Sequence, residues 1–184
     1  MKKTLKLLSM LIFVFLLLGK VFAGSEYELK DGTFIHHDLR FQFQIPSEWN
    51  AKLGRGQGMI LSLEKFPTLI GLACWPVEKN VTLEQELEKL KEIDRNSQRQ
   101  MQWLSELKKE KEGVKIVEVI SLAGANPNNE NSRELKQKML YFMRERADGQ
   151  SYMCSLAFMT FPDRYSKDVS DFDSLLETLA FKKP

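Results

Sequence analysis

The sequence predicts a mixed α and β domain in which helices cover both faces of a sheet. Three observations carry this. Phe41-Gln42-Phe43-Gln44-Ile45 alternates apolar and polar residues and stops at Pro46, the period-two pattern of a strand with one buried face. From Thr82 onward, apolar residues recur at three- and four-residue spacing, the pattern of an amphipathic helix. Within residues 114–122, Ile116, Val117, Val119 and Ile120 put apolar side chains on both faces of a strand, so layers must pack on either side of it.

Taken in order, residues 25–37 are polar and read as an arm or a first short strand. After the 41–45 strand, Ser47-Glu48-Trp49-Asn50 is a turn that delivers a tryptophan. Gly54-Arg55-Gly56-Gln57-Gly58 then separates it from the apolar run 59–63, and Pro67 punctuates before the run 69–75. Thr82-Leu83-Glu84-Gln85 fits a capping box, in which the threonine hydroxyl serves an orphan backbone N–H and Gln85 reaches back to the cap.

Leu83, Leu87, Leu90, Ser97, Met101 and Leu104 then form one stripe, while Glu84, Glu88, Lys89 and Lys91 face water, and Gly113 stops the helix. A helix of that extent would be about 45 Å long, generous for a small domain, and a break near Asn96-Ser97 would shorten it. The strand at 114–122 leads to a loop at 126–131. Two apolar runs, 135–143 and 151–160, flank Ala147-Asp148-Gly149-Gln150, whose Asp-Gly pair suits a hairpin turn. Residues 161–178 read as short helical structure, with Phe172, Leu175, Leu176 and Leu179 apolar. No linker or internal repeat divides the chain.

Residues 1–23 have the three-part layout of a secretory signal: Lys2, Lys3 and Lys6, an apolar stretch over 7–18, and Val21-Phe22-Ala23 before Gly24. The apolar stretch is short of the roughly 20 residues a spanning helix needs, so cleavage between Ala23 and Gly24 is expected, leaving one domain over 24–184 and no stable membrane span. That segment holds four lysines and no acid. Removing them from the 27 Lys and Arg leaves 23 basic against 25 acidic residues, a net charge of −2. A near-neutral domain lacks the clustered cations that nucleic-acid binding needs. With 43% hydrophobic and 28% charged residues, it is also not a disordered chain.

Chemistry has few carriers here. Cys74 and Cys154 are the only cysteines, each in an apolar strand-like segment, and period two puts Cys154 on one face with Tyr152, Leu156 and Phe158. An exported chain meets an oxidising compartment, which favours one disulfide; two buried free thiols packing as small hydrophobes is the other reading. Nucleophilic hydrolysis would have to use His36 or His37, the only imidazoles, and no Gly-x-Ser-x-Gly elbow occurs.

The glycine-rich 54–58 segment precedes a strand rather than a helix, so it reads as a turn and not a phosphate loop. His36 and His37 with the methionines raise copper binding, yet the methionines fall in periodic apolar segments and read as core. Glu130 is the one carboxylate in the 126–131 loop, too few for calcium. Neither a metal site nor a cofactor motif emerges. Trp49, Trp75 and Trp103 are core-edge residues or anchors for a partner. Lys108-Lys109-Glu110-Lys111-Glu112 mixes signs and reads as a solvated helix end.

The order of these elements resembles a known family. Phe41-Gln42-Phe43-Gln44-Ile45-Pro46-Ser47-Glu48-Trp49 is similar to the first-strand motif of PsbP-like proteins. Leu175-Leu176-Glu177-Thr178-Leu179-Ala180-Phe181 is similar to their terminal signature, with Thr178 where Ser is common and Ala180 between Leu179 and Phe181. That superfamily includes Ran-binding Mog proteins and bacterial envelope proteins of the DcrB type, the latter nearest in character. The resemblance covers most of 27–182. It implies an α+β fold, an antiparallel sheet flanked by helices in an α/β/α sandwich, and a non-enzymatic role in binding or assembling proteins, with no catalytic residue carried over.

The expectation is an exported, periplasmic or secreted binding or accessory protein of the bacterial envelope. Its partner would be an envelope protein or protein complex. Two other readings stand beside it: an exported enzyme or metal-binding protein using His36, His37 or a thiol, and a carrier of lipid or apolar peptide between sheet and helix.

Overall fold

Residues 26–54, 59–97, 101–125, 128 and 132–183 are described by the computed structural model. The signal-like segment with Ala23 and Gly24, residues 55–58 of the glycine-rich turn, and most of the 126–131 loop with Glu130 lie outside them. In chain order the elements are β1 (Tyr27–Lys30), β2 (Thr33–His36), β3 (Phe41–Gln44), β4 (Asn50–Leu53), β5 (Met59–Lys65) and β6 (Thr68–Pro76). They continue with α1 (Leu83–Arg95), β7 (Gln102–Lys111), β8 (Val114–Ala123), β9 (Leu135–Glu145), β10 (Ser151–Thr160), α2 (Tyr165–Thr178) and β11 (Ala180–Phe181).

The strands form two antiparallel sheets, a small one in the order β1-β2-β3-β11 and a large one in the order β4-β5-β6-β10-β9-β8-β7. The expected α+β fold is observed, with one addition. One face of the large sheet is covered by α1 alone, and the other by α2 together with the small sheet.

The double-sided pattern of 114–122 follows from this layering. Val114 and Ile116 enter the core shared with the small sheet and α2, where Phe34, Phe41, Phe43, Phe142, Phe158 and Phe172 are buried. Val117 and Val119 enter the second core, beneath α1, with Leu83, Leu87, Met139 and Met153. The Phe41 ring meets Phe142 edge to face at 5.2 Å, locking one sheet to the other. At the end of the chain, Phe181 pairs with Phe41 in register and packs edge to face on Phe142 at 5.1 Å.

The capping box at Thr82 is complete: Thr82 Oγ1 accepts from the Gln85 N–H at 3.2 Å, and Gln85 Oε1 accepts from the Thr82 N–H at 2.9 Å. The helix then ends at Arg95, with Asn96 as its C-cap.

The remainder of the expected long helix is strand β7, and Lys108 to Glu112 is no helix end but the outer strand and its turn. Two physical reasons apply. Residues 104–110 are all exposed, so the helical spacing of Met101 and Leu104 reports no buried face. β8 is buried on both faces and needs a hydrogen-bonded neighbour on each side; β7 supplies one along nearly its whole length, against a weak local helical preference. Gly113 is therefore a hairpin residue and not a helix stop. Glu112 and Gly113 have φ of 53° and 78°, the paired positive values of a type I′ turn, bracketed by the Lys111 and Val114 pair.

The 25–37 arm is likewise a full hairpin, β1 and β2, turning at Asp31-Gly32. The Asp148-Gly149 hairpin between β9 and β10 is present, with Gly149 at φ 81° and Asp148 Oδ1 accepting from the Gln150 N–H at 3.0 Å.

Candidate interaction site

A concavity of about 720 Å³ lies where the last turns of α1 approach the first half of β7. Lys91 and Arg95 form one wall, and Met101, Gln102, Leu104, Ser105 and Glu106 form the other with Trp103. Trp103 is half-buried and held from three sides. Its Nε1–H donates to Asp94 Oδ2 at 2.8 Å, its ring stacks parallel to Tyr141 with centroids 6.2 Å apart, and the Lys91 ammonium sits 5.1 Å from the ring centroid.

Lys91 is not simply solvated, as its place on the polar side of the helical stripe implied. It bridges Glu88 at 2.7 Å and Glu106 at 2.8 Å, joining helix to strand. Its ammonium is stabilised first by the hydrogen bond to Glu106 and then by that to Glu88, which raise its pKa against the effect of burial. Burial pushes the Asp94 carboxyl above the ordinary carboxylate value, while the Trp103 hydrogen bond pulls the other way. Tyr141 is likewise raised, by burial and then by the charge of Asp94, so its phenol stays protonated.

Such a groove offers cations on its helical wall, a carboxylate on its strand wall and a rigid indole at its base. These are elements of recognition, with an aromatic anchor of the kind enriched at binding hot spots.

The other two tryptophans behave differently. Trp49 closes the larger core, donating from Nε1 to Asp171 at 3.1 Å, and Trp75 packs beside α1, donating to Glu86 at 3.3 Å. Trp103 was one of three tryptophans that the sequence offered as core-edge residues or partner anchors. Asp94, Arg95 and Glu106 carried no signal, because they meet only when β7 folds back along α1.

On the opposite face of the large sheet, His36 and Cys74 line one small cavity of about 190 Å³ with Tyr27, Leu39, Ile60 and Tyr152. His36 is buried and its pKa falls to about 4, first through burial, with Asp38 opposing and His37 and Arg146 reinforcing. Its ring is neutral near pH 7, Nδ1 accepts from the Leu39 N–H at 3.4 Å, and the ring also bonds the Glu26 backbone.

His37 points elsewhere, pairing with Glu28 at 3.4 Å beside a separate cavity with Asp38, Arg40, Arg146 and Asp148. Cys74 and Cys154 stand directly opposite on β6 and β10, with Cα atoms 4.2 Å apart and their sulfurs placed as a disulfide. Cys154 lies in the same core as Leu156 and Phe158, with Tyr152 packed against it. Among the described residues no three His, Cys, Asp or Glu converge to hold a metal ion, and no helix is long and apolar enough to cross a membrane.

Two antiparallel sheets, with one helix on each face of the larger one, define a class: α+β domains of the PsbP-like fold. Three solved structures share it. The cyanobacterial PsbP (CyanoP) of Synechocystis sp. PCC 6803 is 13% identical with a TM-score of 0.55, over 82% of this chain and 91% of that one. LpqN, involved in cell envelope biogenesis of Mycobacterium tuberculosis, is 9% identical with a TM-score of 0.61, over 78% and 83%. PA94 of Pseudomonas aeruginosa, a protein of unknown function, is 11% identical with a TM-score of 0.52, over 78% and 92%. At these identities the likeness is one of fold. No protein-family model and no curated protein sequence matches the chain.

Proposed function

We propose that this protein is an exported, non-enzymatic binding or accessory protein of the bacterial cell envelope, periplasmic or secreted. It would engage an envelope protein through the groove around Trp103. The observation that carries this is the immobilised indole at the base of an open groove with charged walls, a geometry suited to holding a partner. The signal-like residues 1–23 support export, and LpqN provides an envelope protein of the same fold.

The opposite face of the sheet supports chemistry less well, since the His36 ring is neutral and hydrogen-bonded and the Cys74 sulfur is placed against Cys154 as a disulfide, which is no nucleophile. That His36 and Cys74 share a cavity is the one feature favouring an exported enzyme or metal-binding protein. For a lipid or apolar-peptide carrier, the space between α1 and the sheet is occupied by Leu83, Leu87, Val117, Val119, Met139 and Met153.

The test is affinity capture from an envelope fraction with wild type, Trp103→Ala, Lys91→Glu and a distant control, Glu177→Gln. A protein retained by wild type and control but lost from both groove variants supports the reading. A partner held equally by all four, or activity that His36→Gln abolishes, overturns it.

A further inference from the structure

The large sheet ends in two unlike outer strands. β4 covers only Asn50–Leu53, whereas β7 covers Gln102–Lys111 and, among the described residues, pairs with β8 alone. Residues 104–110 are all exposed, and Leu104 and Leu107 are 49% and 51% exposed. A long, open strand edge is a template for another strand. We propose that its occupant is a second copy of this chain, which adds its own β7 antiparallel to this one about a two-fold axis at Leu107, continuing the sheet from one protomer into the next. This interface runs along the sheet edge and shares Ser105 and Glu106 with the strand wall of the groove.

Symmetry and charge select that register. When a two-fold axis continues an antiparallel sheet, facing residues lie on the same side of the sheet, so the axis must pass through a residue that faces its own copy. Centring on Glu106 or Glu110 sets carboxylates face to face, and centring on Lys108 or Lys109 sets ammoniums face to face. Centring on Ser105 brings Glu106 against Leu104, where the register with β8 shifts and the strand is bulged.

Gln102, Trp103 and Leu104 lie at or before that bulge, Lys111 again sets ammoniums face to face, and Leu107 remains. There two exposed leucines meet on the axis, and Glu106 faces Lys108 on each side of it, giving two opposite-charge pairs. Glu106 and Lys108 share the α1 side, since they pair with Val119 and Val117, which pack beneath that helix. Lys91 holds the Glu106 carboxylate there through Oε2 at 2.8 Å. The ladder runs from Ser105 to Lys109 and stops where the bulge begins.

A contact of this size falls below the roughly 1,600 Å² of standard stable interfaces, so the expected dimer is weak, dissociating at about 10–100 μM. Sedimentation equilibrium on protein purified as the cell processes it reads the dissociation constant, with the melting midpoint of each variant recorded alongside. Lys108→Glu and, separately, Leu107→Arg place like charges in the interface and are expected to weaken dimerisation at least tenfold. The double exchange Glu106→Lys with Lys108→Glu restores both pairs and is expected to recover dimerisation. A wild type that stays monomeric to about 0.5 mM overturns the proposal. So does a Lys108→Glu variant that dimerises like wild type, or a folded double exchange no better than the single one. A monomer that still captures its groove partner defeats this inference alone.

Discussion

The Trp103 indole N–H donates to Asp94 Oδ2 across 2.8 Å, tying the first residues of β7 to the last turn of α1. Their hydrogen bond and the Trp103–Tyr141 stack hold the indole in place in the groove.

Trp103→Phe keeps an aromatic ring on Tyr141 and loses the hydrogen bond. The expected cost is about 1 kcal/mol, read as a fall in melting midpoint of about 2–4 °C. A change below 0.5 °C would remove Asp94 as the residue that holds the indole. Asp94 also has a pH signature. Its carboxyl titrates above the ordinary 3.8, so the folded state binds its proton more tightly than the unfolded state. Its contribution is therefore most favourable at low pH and declines as pH rises through 3.8 to the raised folded value. Asp94→Asn removes that decline, so the variant gains stability relative to wild type across the window.

For His36 the sign is opposite. Its pKa is depressed from 6.5 to about 4, so below pH 6.5 the unfolded chain takes up a proton that the folded chain refuses. Stability is full above pH 6.5 and is lost as pH falls toward 4, by up to about 3 kcal/mol. Urea midpoints between pH 4 and 7 should show this slope in wild type and not in His36→Gln.

The Cys74 and Cys154 pair encloses a separation of 80 residues. A bridge closing such a loop stabilises by about 2–4 kcal/mol. Mass measurement without reductant should find the chain about 2 Da lighter than its fully reduced form, two hydrogens having been lost in bond formation. Reduction should lower the urea midpoint accordingly; two free thiols in protein recovered from an oxidising compartment would refute the bridge.

Phe181, 7% exposed, fills the gap between β3 and Phe142. Phe181→Ala should cost about 3–5 kcal/mol in chemical denaturation. A loss under 1 kcal/mol would mean that β11 is dispensable to the core.

Sequence pattern located the elements whose burial alternates. β3 shows it with Phe41 and Phe43, β8 with Val117 and Val119 against Val114 and Ile116, and α1 with Leu83 and Leu87 under its capping box. It misassigned β7 because an exposed outer strand has no buried face to display, and its lysines and glutamates suit a solvated helix equally well. It under-read β1 and β2, since β1 buries no residue and β2 buries His36 where an apolar side chain would have marked the inward face. Of the groove, Trp103 was legible by its chemistry. Lys91 was assigned to water because its partner Glu106 belongs to a strand the pattern hid.

The pairing of Phe41 with Phe181 also orders events in folding. The two residues face each other from strands separated along the chain by the large sheet and both helices, so their contact is among the most non-local in the fold. Closing so long a loop costs chain entropy before the contact returns anything. The small sheet therefore gains its fourth strand only after the elements between β3 and β11 have brought the two strands together.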